Sequence, residues 1–200
     1  MNIKLKALCS CVVSASVCAA FSPVAYALPQ NGVETLTEPQ IQQRLDEINS
    51  SYEVGEAFSA DDRDFVLRYA EKPSMARKSK DFSVTKTSSK TTVTASGTIY
   101  HNGTVAYSYG GRITAKKTKG KTPKKYLITV SCVAYGVVGN DGIGKIYDDS
   151  KSVAKRDADS FVADINSDYA GVMVAYCVSA NVGVTTSTGD YFDISSSDLT

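Results

Sequence analysis

From Phe82 onward the chain alternates between wet and dry positions. Between Thr91 and Tyr100 the odd positions Val93, Ala95 and Ile99 are apolar, while Thr92, Thr94, Ser96 and Thr98 carry hydroxyls. A period of two is met by a strand with one buried face and one solvated face. The next segment repeats the pattern with Val105, Tyr107, Tyr109 and Ile113. Because slipping the pairing by one residue turns every apolar side chain to the wrong face, odd positions must meet odd positions. A two-residue Asn102-Gly103 loop would pair Ile99 with Ala106 and set the faces against each other. A three-residue loop, His101-Asn102-Gly103 with the glycine left-handed, pairs Ile99 with Val105 and Gly97 with Tyr107, and is the turn expected.

The remaining chain reads as more strand. Lys116-Lys117-Thr118-Lys119-Gly120-Lys121-Thr122-Pro123-Lys124-Lys125 has the composition of a hairpin tip. Leu127 to Val138 is apolar enough to be buried on both faces, with Ile128, Val130, Cys132 and Ala134 on one side. Gly139-Asn140-Asp141-Gly142 turns the chain into a short strand near Ile143 to Tyr147. Residues 150–168 fit either a helix (Ala154, Ala158, Phe161, Ile165) or a strand (Phe161, Ala163, Ile165); their Ser, Asp and Asn content favours strand. Val172 to Ala180 is a second central strand containing Met173, Ala175 and Cys177, and a last hairpin through Val182-Gly183 and Gly189-Asp190 ends near Ile194. About seven short strands with frequent turns predict a mainly β chain, a two-sheet antiparallel sandwich of immunoglobulin-like outline. It is expected to carry one disulfide.

Two short helices are predicted ahead of the strands. Thr37 caps the first, with Pro39 in its first turn, Gln40 reaching back to the cap, and Leu36 and Ile41 placed as a hydrophobic staple. Ile41, Leu45, Ile48 and Tyr52 then share one face. The second starts at Ser59, where Asp61, Asp62 and Asp64 suit the positive end of the helix dipole and Arg68 and Lys72 the other. Phe65 and Tyr69 form its apolar stripe, and Pro73 stops it. Before both, Lys4 and Lys6 precede an uncharged stretch from Ala7 to Ala20 ending at Ala25-Tyr26-Ala27. That is the pattern of a secretory signal peptide. The stretch falls short of the ~20 residues a transmembrane helix needs, and the residues before Cys18 lack the leucine of a lipoprotein site. The organisation expected is a signal peptide at 1–27, an acidic helical segment at 28–75 and a sandwich at 76–200. The mature chain would be secreted and extracellular, with no membrane span, and the compact leader has a bacterial look.

Removal of the leader takes Cys9, Cys11 and Cys18 with it. Cys132 and Cys177 remain, and in an oxidising compartment they are expected to pair. A ring of that size would add about 4 kcal/mol to stability. Charge in the mature chain is segregated. Residues 28–71 carry 3 basic and 10 acidic side chains, residues 72–125 carry 13 basic and 1 acidic, and residues 126–200 carry 4 basic and 10 acidic. Near-neutrality overall favours acidic flanks folded back onto the basic middle.

Catalytic chemistry finds little material. His101 is the one histidine in the chain, and at a hairpin turn it is expected to be solvated rather than a general base. One histidine and two bonded cysteines cannot supply the three or four ligands of a zinc site, so neither metal nor cofactor is expected. Asp61-Asp62 and Asp148-Asp149 suit a helix start and a strand end better than a hydrolase pair. Gly139 to Gly142 with Asp148 and Asp149 does not match an EF-hand loop. Asn49 and Asn102 begin glycosylation sequons that would mean nothing in a bacterial protein. The sharpest feature is the tip: Lys116, Lys117, Lys119, Lys121, Lys124 and Lys125 form a local positive field able to hold a phosphate-bearing envelope polymer. Nucleic acid is disfavoured, since no aromatic residue interleaves the lysines. The sequence therefore points to a non-enzymatic secreted binding protein for an extracellular macromolecule or envelope component. A membrane-active, bacteriocin-like toxin is the first alternative and a carboxylate-based hydrolase the second.

Overall fold

The computed structural model describes residues 36–140 and 142–198, so the leader reading of residues 1–27 lies outside the described residues. Ten elements follow in order: α1 (Glu38–Ser51), α2 (Ala60–Tyr69), β1 (Ser74–Ser88), β2 (Thr91–Gly103), β3 (Ala106–Lys119), β4 (Lys125–Val138), β5 (Gly142–Arg156), β6 (Ser160–Ala170), β7 (Met173–Thr185) and β8 (Tyr191–Ser195). Both helices start at the expected caps. The Thr37 backbone N–H donates to the Gln40 side-chain oxygen at 2.9 Å, and the Ser59 hydroxyl accepts from the Asp62 N–H at 3.2 Å.

The strands form two antiparallel four-stranded sheets, ordered β1-β2-β3-β6 and β5-β4-β7-β8. Residues 150–168 are strand on both sides of a turn at Asp157, as their composition predicts. The parity of the β2–β3 pairing is also as predicted, because Ile99 faces Gly111 and Gly97 faces Ile113, odd to odd. The turn itself lies further along, at Thr104-Val105, and His101 to Gly103 belong to the strand. Burial explains the shift. Continuing the strand places His101 opposite Tyr109 with both buried, and leaves Val105 as the exposed turn residue.

Lys119 pairs with Thr92 in the first sheet, whereas Lys125 pairs with Arg156 and Thr185 in the second. The lysine segment is thus a crossover between sheets and not the hairpin tip expected. The chain crosses again between β5 and β6 and between β6 and β7.

The main core fills the space between the sheets. Val93, Ala95, Ile99, Tyr109 and Ile113 come from the first sheet, and Tyr126, Ile128, Val130, Cys132, Val182 and Ile194 from the second. A third layer is added by the helices. Leu45, Ile48 and Val66 pack on Val133, Tyr135 and Ala175, which occupy the other face of the second sheet. The Tyr135 hydroxyl, buried in that contact, donates to the Asn49 side chain at 2.8 Å.

The expected Cys132–Cys177 disulfide is corrected by the register. Both thiols are free. Cys132 lies opposite Val178, and Cys177 opposite Val133. Directly opposed residues share a face and successive residues alternate, so the two sulfurs lie on opposite faces of the second sheet. Cys132 is fully buried between the sheets, while Cys177 sits under α1 beside Gln42. No rotamer of either residue carries its sulfur through the sheet.

Candidate functional site

Four connections meet at one pole of the sandwich. The β1–β2 turn brings Ser89 and Lys90, both with positive φ, and the Lys90 carbonyl lies close against Gly120 of the crossover. The β5–β6 turn brings Lys155, Arg156, Asp157 and Asp159, joined to the crossover by the Asp157 N–H donating to the Lys124 carbonyl at 3.2 Å. The β7–β8 turn ends in Asp190, and the Lys124 N–H donates to the Thr185 carbonyl at 2.9 Å on that side. The fold therefore adds Lys90, Lys155 and Arg156 to the six lysines legible in the sequence. Nine cations face three carboxylates, Asp157, Asp159 and Asp190.

Only Lys117 is neutralised locally. Its ammonium stands 2.7 Å from Asp159, and the side chain is largely covered. The hydrogen bonds from Lys117 and Thr122 hold the Asp159 carboxyl below the usual range. Among the described residues Lys116, Lys119, Lys121, Lys124 and Lys125 make no ion pair. The described part of the acidic segment, residues 36–75, makes no ion pair with them. It pairs with the basic middle through Lys78–Glu71 and Lys80–Glu38, both exposed, and packs around Tyr135. Tyr135 is ten residues up β4 from Lys125, about 30 Å at the rise of a strand. The expectation that acidic flanks cover the basic middle is thus met at Lys78 and Lys80 of β1 and at Arg112 through Asp164, and within the pole at Lys117 alone.

The opposite pole holds His101, buried instead of solvated. Its ring stacks on Tyr176 with centroids 3.7 Å apart. Its Nε2 lies 2.7 Å from the Tyr169 hydroxyl, and its Nδ1 is buried with no hydrogen-bond partner. Burial pushes the imidazole pKa down to about 4, so it is neutral over the ordinary range. The Tyr169 hydroxyl donates to Met173 Sδ at 3.3 Å and receives the Cys132 thiol at 3.9 Å. Alternation had indicated this site: His101 continues the odd series Val93, Ala95, Gly97, Ile99, and the Asn-Gly turn signal beside it obscured that.

Neither aspartate pair converges. Asp149 lies opposite Cys132 and Asp148 opposite Val133, so they leave β5 on opposite faces. Asp149 accepts from the Tyr109 and Tyr147 hydroxyls at 3.1 Å each and pairs with Lys151 at 2.8 Å, whereas Asp148 pairs with Lys145. Asp62 is held by Arg44, Tyr52 and Ser59, and Asp61 is exposed. Asp141 of the suggested calcium turn lies outside the described residues. Among the described residues no group of three or more His, Cys, Asp or Glu converges as metal ligands, and no helix is long and apolar enough to cross a membrane. Compared with known proteins, the chain matches no family model, no curated protein and no solved structure.

Proposed function

We propose that the chain is a secreted, non-enzymatic sandwich protein of immunoglobulin-like outline that binds a phosphate-bearing envelope polymer at its lysine pole. The outline is supported by the interlocked neighbours β3–β6 and β4–β7, each pair bridging a crossover between sheets. The observation that carries the binding reading is the gathering of nine cations from separate turns around five lysines that no carboxylate among the described residues neutralises. A field of that kind attracts polyanions and releases their counterions on contact. A phosphodiester polymer without bases suits the pole better than nucleic acid. Tyr191 is the exposed aromatic beside it, its hydroxyl held by Asp193 two residues away, and strand binding uses successive stacking platforms.

The test is retention of the mature protein on cell-envelope preparations at low salt. Wild type is expected to co-sediment with the envelope. A variant with Lys119, Lys121 and Lys124 all changed to Ser is expected to stay in solution while remaining folded, since exposed charges contribute within about ±0.5 kcal/mol. Equal retention of the two proteins would reject the pole as the binding surface.

A further inference from the structure

We infer that Cys132, Met173 and His101 form a buried binding site for a soft monovalent metal ion, Cu(I), at the pole opposite the lysines. The three side chains come from β4, β7 and β2, and all three reach one point. Around the Tyr169 oxygen stand His101 Nε2 at 2.7 Å, Met173 Sδ at 3.3 Å and Cys132 Sγ at 3.9 Å. A thiolate, a thioether and an imidazole make a donor set that favours Cu(I) over harder cations. One donor is the thioether of Met173, and the register of β4 and β7 keeps Cys132 out of a disulfide with Cys177. With Cys132 unbonded, that ligand returns.

Charge selects the ion as well. Cys132, His101 and Met173 are 0%, 2% and 6% exposed, and an uncompensated charge in such surroundings is costly. Cu(I) with one thiolate is neutral, whereas a divalent ion with the same three ligands keeps a net positive charge. The ion takes the place of the Tyr169 hydroxyl as the shared partner. Binding forms a Cu–S bond and breaks the Cys132 S–H bond; the proton leaves to water and no oxidation state changes.

The experiment is titration of the reduced protein with Cu(I), competed against bicinchoninate, for the wild type and four variants. The expected result is one Cu(I) per chain, unchanged in Cys177→Ser, at least tenfold weaker in Cys132→Ser and in Met173→Leu, and tighter in Tyr169→Phe. Met173→Leu keeps the core volume, so it decides the matter should Cys132→Ser fail to fold. The site is overturned if Met173→Leu binds like wild type, if Cys177→Ser abolishes binding, or if Zn(II) binds more tightly than Cu(I).

Discussion

At His101 two local signals of the sequence disagree. Asn102-Gly103 is a strong turn signal, and it argues for a loop beginning at His101. The alternation argues for a buried strand position, and burial prevails because His101 stacks on Tyr176 and bonds to Tyr169. The consequence is a pH-dependent stability. The imidazole has a pKa of about 4 when folded against 6.5 unfolded, so as pH falls the unfolded chain binds the proton first. The contribution is complete above pH 6.5 and is lost between 6.5 and 4, on the order of 3 kcal/mol. Urea denaturation from pH 7.5 to 4 should therefore show wild type losing stability more steeply than His101→Phe; parallel curves would contradict the burial. A second outcome belongs to the cysteines. Non-reducing mass spectrometry of the mature protein should find two thiols, with Cys132 alkylated only after unfolding, whereas a linked Cys132–Cys177 peptide would contradict the register of β4 and β7.

Among the elements, central strands were legible along their length and the edge strands β1 and β5 only in part, for one physical reason. A central strand has a dry face on which the period of two is written, as in β2 and β4. Edge strands carry charge on both faces, which protects their open edge from further pairing. Ser74 to Asp81 of β1 is almost wholly exposed, so the alternation that marks the strand begins only at Phe82. In β5, Asp149 and Lys151 lie opposite the core residues Cys132 and Val130, and this erased the alternation that would have settled residues 150–168. The β1–β2 turn shows a related economy. Ser89 and Lys90 both adopt left-handed φ, 47° and 65°, where Asn and Gly fit without strain. Replacing them with Asn-Gly should raise stability by about 1 kcal/mol, a Tm gain of roughly 2–4 °C in a chain of this size. A lower Tm by calorimetry would argue against the turn.

At the scale of the whole molecule, the six tip lysines were visible in the sequence but the pole was not. Lys155 and Arg156 join it through the β5–β6 crossover and Lys90 through the β1–β2 hairpin, and no local pattern of residues encodes which turns meet at one end of the sandwich. The same holds for the cysteines, whose separation in sequence is silent about the face each occupies. What the topology adds is a dipolar layout, with the acidic helices packed around Tyr135 and the cations of three connections at the far end of β4. The proposal that this pole holds a polyanion is tested most directly by the salt dependence of binding to a purified poly(glycerol phosphate). Each phosphate neutralised contributes a slope of roughly −0.7 to −0.9 in log K against log salt. Wild type is predicted to show a slope of about −3 or steeper, and the Lys119, Lys121 and Lys124 to Ser variant a slope shallower by about 2. A wild-type slope near zero, or one that the three substitutions leave unchanged, would contradict the account.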